Sequence, residues 1–270
     1  MKRLVFAALL ILVSLYCIGP FLWQGITSLK ETADLTRLPP LLPHPPTLEH
    51  YRSIFTGHPL LRIMANSFIV ATASTLLALA LGSLAAFALA KLRIPGSGLV
   101  LLFVLSISMF PPIATVSPLY LLIRAAGLRD TPLSLILTYT SFTLPLTIWV
   151  LTHFFRNIPD ELYRAARIDG CTPWQSFIRI MLPLAAPGIF ATAILVFIFS
   201  WNEFLFALTF TSTTASRTIP VGIALFPGLH EIPWGEIAAA SVIVTLPLLL
   251  LVFFFQRRII EGLTAGAIKG

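Results

Sequence analysis

The residues of this chain that are able to do covalent or metal chemistry do not gather. His44, His50, His58, His153 and His230 share no ligand spacing, and Cys17 and Cys171 lie far apart on different kinds of segment. No Walker A sequence, H-E-x-x-H or G-x-S-x-G occurs, so nothing points to chemistry on a substrate. The polar side chains that do cluster form two groups. Asp160, Glu161, Arg164, Arg167, Asp169 and Arg179 lie between Asp160 and Pro183, flanked by long apolar blocks. Ser200, Asn202 and Glu203 lie inside another apolar run. The first group suits ion pairing and docking. The second suits a polar lining, because an unpaired charge at mid-bilayer costs at least ~2.5–3.5 kcal/mol and is normally placed toward a cavity or partner.

The elements that must position these groups are membrane helices. The chain is 57% apolar and 11% charged, with mean hydropathy +0.92, whereas soluble domains carry about 25% charged residues. Six apolar blocks stand out, at about Leu4–Trp23, Asn66–Ala90, Gly98–Ile123, Leu133–Phe155, Ala185–Phe206 and Ile237–Phe255. Each is long enough to cross a ~30 Å hydrocarbon core as a helix at ~1.5 Å per residue. Continuous apolarity without period-2 alternation argues against an outer-membrane barrel. The expected fold class is therefore an all-α membrane protein with six transmembrane helices. The N-terminus is read as a retained first helix: Tyr16 stands where a cleavage site wants a small residue, and the apolar run continues to Trp23.

Six spans put both termini on one side. With the termini inside, inner segments hold eleven of the eighteen Lys and Arg against four acids, net +7. Outer segments hold seven against six acids, net +1. Termini inside is the better orientation, which makes the Asp160–Pro183 island cytoplasmic. The first outer loop contains LPPLLPHPPT, which forbids a continuous helix. Thr47–Met64 after it suits a short surface helix, interrupted at Pro59. The chain divides into residues 1–65, the first helix and proline-rich loop, and residues 66–270, a five-helix core with a loop at 159–183 and a tail at 261–270. The long first and last outer loops suit contact with a partner, or are plain connectors.

Within the island, Asp160 or Pro159 opens a short helix running to Asp169, with Gly170 as its left-handed cap. Thr172, Pro173 and Gln175 form a capping box that starts a second helix, and Pro183 and Pro187 end or kink it. Ala165 and Ala166 are small enough to admit a partner surface, and Leu162 and Ile168 suit partner pockets. On physical grounds alone, an amphipathic helix resting on lipid head groups, with Arg156, Arg164 and Arg167 toward phosphates, is an equal reading. Pro111, Pro112 and Pro118 free backbone carbonyls in the third span, marking a substrate path or a kink.

The run R-A-A-R-I-D-G-C-T-P-W-Q-S-F-I-R-I-M-L-P resembles the signature loop of ABC importer permeases: Glu-Ala-Ala, three residues, Gly, nine residues, Ile, any residue, Leu-Pro. Ala165, Ala166, Gly170, Ile180, Leu182 and Pro183 match at every spacing, while Arg164 stands where the pattern has Glu. Glu161 lies one turn earlier on the same helix face. SWNEFLFAL at Ser200–Leu208, the tail EGLTAGAIKG, MFPPIATVSPLY and GLRDTPLSLIL are similar to carbohydrate importer permeases, specifically the smaller, six-span member of the maltose-type pair. The resemblance covers Leu48–Gly270.

It implies a type I ABC importer permease fold whose cytoplasmic loop is a coupling helix. It also implies a translocating subunit for sugars that binds no cofactor itself, with ATP and Mg held by partner subunits. The implied partners are a second homologous permease, two copies of an ATP-binding subunit and an extracytoplasmic solute-binding protein, in a prokaryotic cell membrane, with no nucleic acid. Glu161, Leu162, Arg164, Ala165, Ala166, Asp169, Gly170 and Pro183 would dock to the ATPase. Gly262, Thr264, Ala265, Gly266 and Lys269 would insert between the ATPase subunits. Ser200, Asn202, Glu203, Pro111 and Pro112 would line the pore or substrate path. An ion-gradient-driven secondary transporter, a scaffold, and a permease for a non-sugar solute such as a glycerol-phosphate compound are the alternatives. The first would commonly show inverted repeats, and none is visible.

Overall fold

The computed structural model describes residues 2–35, 41–92, 94–226 and 232–264, with side-chain positions described between residues 3 and 256. In chain order the helices are α1 (Lys2–Thr27), α2 (Thr32–Leu35), α3 (Glu49–Thr56), α4 (Leu60–Lys91), α5 (Ser97–Ser108), α6 (Pro112–Ala125), α7 (Pro132–Asn157), α8 (Asp160–Ile168) and α9 (Pro173–Ser176). A π-helical turn (Phe177–Met181) leads into α10 (Leu182–Leu184), followed by α11 (Ala186–Asn202), α12 (Leu205–Phe210), α13 (Ile219–Ala224) and α14 (Trp234–Thr264). The described residues contain no strand. The fold is all-α.

Four helices, α1, α4, α7 and α14, are long and apolar enough to cross a membrane unbroken. The third expected span is instead a bent pair, and the fifth is entered across the kink expected near Pro183 and Pro187. α5 and α6 meet at 89°, and the rod from Pro173 to Leu184 meets α11 at 77°. The first corner falls at Pro111–Pro112. Pro111 is extended and Pro112 opens α6, because neither ring nitrogen can donate to a preceding carbonyl. Pro118, by contrast, is carried inside α6 without ending it. The second corner falls at Ala185, with Pro187 in the first turn of α11.

The surface helix expected over Thr47–Met64 is shorter. α3 stops at Thr56, and Leu60–Met64 belong to the spanning helix α4, which Pro59 precedes. Proline suits the position just before a helix as well as it suits a break inside one.

The central contact is α4 along α7, with α11 packed on both and α14 on α11. Val70, Ser74, Ala78, Gly82 and Ala86 recur every four residues on α4 and are all buried. Their neighbours on α7 rise in step: Leu135 and Tyr139 beside Val70, Thr147 beside Gly82, Leu151 and Phe155 beside Ala86. The two helices therefore run in the same direction. Small residues allow this approach, since helices in lipid gain little from apolarity and associate by close packing. A Cβ at Gly82 would sit 2.5 Å from the Thr147 methyl carbon, and one at Gly188 2.3 Å from the Phe154 ring.

α7 buries Thr138, Thr143, Thr147 and Thr152, and each hydroxyl donates to the carbonyl four residues earlier, so none needs a distant partner. α1 packs on α14 but presents almost all of its side chains outward, as Leu4, Phe6 and Leu12 illustrate.

Gly82→Val is expected to push α4 off α7 and to destabilise the bundle by about 1–3 kcal/mol. Thermal unfolding of the detergent-extracted protein reads this as a lowered midpoint. Gly19→Val, where nothing lies within 4 Å, should leave the midpoint unchanged.

Candidate functional site

The loop between α7 and α11 is held as a rigid corner. α8 opens at Pro159 and Asp160 and closes at Gly170, whose φ of +84° is the left-handed conformation that favours glycine. The Cys171 N–H donates to the Ala166 carbonyl (3.0 Å) and the Asp169 N–H to that of Ala165 (2.9 Å), closing the end of the helix. The next helix starts at once. The Thr172 hydroxyl accepts from the Gln175 N–H (3.2 Å), and the Gln175 side chain accepts from the Thr172 N–H (2.8 Å). The capping box is complete.

Three contacts tie this corner to the bundle. Phe177 and Met181, on the π-turn, are buried among Ala86, Phe87, Leu151 and Phe155. Tyr163 packs edge-on against Phe87 at 5.8 Å. Lys91, the last residue of α4, buries its side chain and donates to the Ile158 carbonyl (2.6 Å) and the Asp160 carboxylate (2.5 Å). The Asp160 carboxylate thus forms an ion pair with Lys91 across 69 residues.

The faces of α8 are thereby assigned. Leu162 and Ile168 are exposed, at 43% and 85%, with Glu161, Ala165 and Asp169 exposed beside them. Ala166 is 3% exposed, packed inward, so only Ala165 of the small pair is open to a partner. Arg164 lines a cavity together with Asp160 and Tyr163, on the side turned to the bundle. Gly170 is open, and Pro183 lies on the rod that enters the core.

The second polar group is built differently from the expected continuous span. α11 ends at Asn202, Glu203 is extended, and its carboxylate accepts from the N–H groups of Phe206 (2.9 Å) and Ala207 (3.2 Å). Glu203 thus caps α12, and the negative charge sits at the positive end of that helix. The buried Tyr139 hydroxyl lies beside it and beside Thr218. Asn202 is exposed but donates to its own helix at Ile198 (2.8 Å), and Ser200 is buried. Pro111 and Pro112 are exposed at the α5–α6 corner. This corner folds over α7 around an apolar groove of about 630 Å³, lined by Phe110, Leu119, Leu137 and Phe142 among others. None of Ser200, Asn202, Glu203, Pro111 and Pro112, expected on a pore or substrate path, lines that groove.

Residues 62–264 match the family described as binding-protein-dependent transport system inner membrane component. The chain belongs to that family. The permease is 46% identical over 257 residues to the trehalose transport system permease protein SugB of Mycobacterium tuberculosis, covering 94% of this chain and 93% of that one. It is 44% identical to the trehalose/maltose transport system permease protein MalG of Thermococcus litoralis, over 100% and 98% of the two chains. It is 42% identical to the sulfoquinovosyl glycerol transport system permease protein SmoH of Agrobacterium fabrum, over 99% and 93%. Among solved structures it superposes with a chain of a bacterial ABC transporter involved in the import of the acidic polysaccharide alginate, at TM-score 0.81 and 20% identity over 95% of each chain. The fold is that of a type I ABC importer permease.

Two features of the permease were not legible as site elements. One is the Lys91–Asp160 pair. The other is Asp130, at φ 60° in the loop between α6 and α7. Its carboxylate accepts from the N–H groups of Ser212 (2.7 Å) and Thr213 (3.0 Å) and from the hydroxyls of Thr213 (2.8 Å) and Ser216. Arg129 and Arg217 add hydrogen bonds to Ser212. Partial burial opposes ionisation of Asp130, but these hydrogen bonds outweigh it and hold the carboxyl well below the usual carboxylate range. The only sequence signal was an Asp before the Thr-Pro that opens α7. Of the tail, Gly262 and Thr264 fall in the last turns of α14, with no side-chain placement described. Ala265, Gly266 and Lys269 lie outside the described residues, as do Arg37, Arg93, Pro227, Gly228 and His230.

Lys91→Met removes the hydrogen bonds from α4 to the Ile158 carbonyl and the Asp160 carboxylate. Charge-assisted bonds contribute about 1.5–3 kcal/mol each, so amide exchange across 158–172 should rise at least roughly tenfold, read by hydrogen-exchange mass spectrometry. A depressed carboxyl stabilises only while ionised. The stability difference between the wild type and Asp130→Asn should therefore be constant above about pH 5 and shrink as pH falls below about 4. Thermal unfolding across pH measures it, and a difference that grows on acidification would contradict the clamp.

Proposed function

We propose that this permease is the pore subunit of an ATP-driven sugar importer, with the α8–α9 corner as the surface that docks to an ATP-hydrolysing partner. The observation that carries the reading is the corner itself: exposed apolar residues, Leu162 and Ile168, on a helix tied at three points to the spanning bundle. A docked partner that moves α8 must move α4 and the π-turn with it. This is a lever, and it needs no reactive group.

The sugar assignment follows from relatives whose names specify trehalose, trehalose/maltose and diacetylchitobiose transport. The assembly would comprise this chain, a second related permease, two ATP-binding subunits that hold ATP and Mg, and an extracytoplasmic solute-binding protein. A related solved assembly contains an alginate pentasaccharide-bound periplasmic protein. Both termini and the α8–α9 corner lie in the cytoplasm, in keeping with the Lys and Arg asymmetry. The 261–270 tail would reach the same partner. The Asp130 clamp and the α2–α3 region then face outward, toward the binding protein.

Gly170→Val forces a β-branched residue into the left-handed region, at a cost of about 1–2 kcal/mol, in a place with open space around it. The expected result is normal membrane insertion, with uptake of radiolabelled trehalose or maltose lost while ATP hydrolysis continues. Normal uptake tightly coupled to hydrolysis would remove the lever. A coupled wild-type complex that imports no disaccharide from a panel would remove the sugar assignment alone.

A further inference from the structure

We propose that the cavity between the ends of α4, α5, α7 and α8 binds the headgroup of an anionic phospholipid. The cavity has a volume of about 450 Å³ and opens where those four helices end. Two of its cationic walls are Arg156, in the last turn of α7, and Arg164 on α8. Neither has an acid within ion-pair distance among the described residues, whereas Lys91 is already neutralised by Asp160. The site thus holds two uncompensated guanidinium groups, whose planar forks match phosphate oxygens.

Ser97, at the start of α5, adds a hydroxyl to the cavity wall; its N–H is already donated to the Ile94 carbonyl (3.2 Å). The remaining wall is apolar, from Leu89, Ala90 and Leu92.

Position selects a lipid over a free anion. At about 1.5 Å per residue, the 32 residues of α4 span roughly 48 Å, so its end at Lys91 lies beyond a ~30 Å hydrocarbon layer, in the headgroup zone. From Ser97, α5 runs back toward the apolar layer with Leu99, Leu102 and Phe103 exposed at 73%, 62% and 67%. A phosphate seated between Arg156 and Arg164 would place its acyl chains along that face. The same geometry accounts for Arg164. On the bundle side of α8, it is engaged by lipid, and the outward face is left to Glu161, Leu162, Ala165 and Ile168. The bound headgroup would then brace the loop beside the Lys91–Asp160 pair. None of this depends on which solute is carried.

Native mass spectrometry of the detergent-extracted assembly tests the site, with phosphatidylglycerol and phosphatidylcholine offered in equal amounts. The wild type should retain phosphatidylglycerol in roughly tenfold preference. Arg156→Ala/Arg164→Ala should bring the two to parity, and Arg156→Lys/Arg164→Lys should keep most of the preference, since charge survives. Both arginines are exposed, so the core is left intact in either variant. Equal retention by the wild type, or an undiminished preference in the alanine variant, would overturn the proposal. Displacement of the bound lipid by millimolar inorganic phosphate would overturn it in favour of a free-anion site. A preference seen in the permease pair alone but absent from the full assembly would overturn it in favour of a carboxylate from the ATP-hydrolysing partner.

Discussion

The close approach of α4 and α7 is the constraint on which the other contacts rest. Val70, Ser74, Ala78, Gly82 and Ala86 keep the stripe on α4 narrow enough for α7 to lie against it over four turns. Because the two helices run in the same direction, their ends coincide. One pair of ends brings Lys91 to Ile158 and Asp160, where the α8–α9 corner hangs. At the other, the Thr131 turn at the start of α7 stands beside the loops after α12. A displacement of α7 along α4 by a single turn, about 5.4 Å, would break the lysine contact at one end.

Two of the spans are broken, and in a membrane every freed backbone group must find a partner or face water or protein. The breaks are handled with short-range chemistry. Glu203 supplies two acceptors to the exposed N–H groups of α12 immediately after α11 ends. Pro112 and Pro187 occupy first-turn positions, where the missing N–H is not needed. The threonines of α7 return their hydroxyls to their own helix, so polar side chains pass through the bundle without demanding partners elsewhere.

Rigidity is also what a mechanical role requires. Among the described residues the α8–α9 corner is fixed by the Lys91–Asp160 ion pair, the packing of Tyr163 and Phe177 on Phe87, and the buried π-turn, which together reach α4 and α7. Its outward face presents Leu162 and Ile168 beside the charged Glu161 and Asp169. A surface of this kind transmits displacement to several spans together, which distinguishes a docking lever from a loop lying loosely on head groups.

The apolar blocks, the two helices around Gly170, the Thr172–Gln175 capping box and the Pro111–Pro112 interruption were all legible in the sequence. Each depends on residues within one or two turns of one another: a long run without charge must cross the bilayer, a left-handed position selects glycine, and a proline cannot donate. Glu203 is a local cap too, yet the apolar run around it hid the helix end that it serves. The inward turn of Ala166, the cavity that Arg164 lines, and the partners of Lys91 and Asp130 were decided only by the tertiary structure. In lipid a buried helix face and an exposed one are equally apolar, so residue type does not say which way a helix turns. That information resides in close packing, in this chain the seam where Gly82 meets Thr147. Until α4 and α7 are set side by side, nothing brings Lys91 to Asp160.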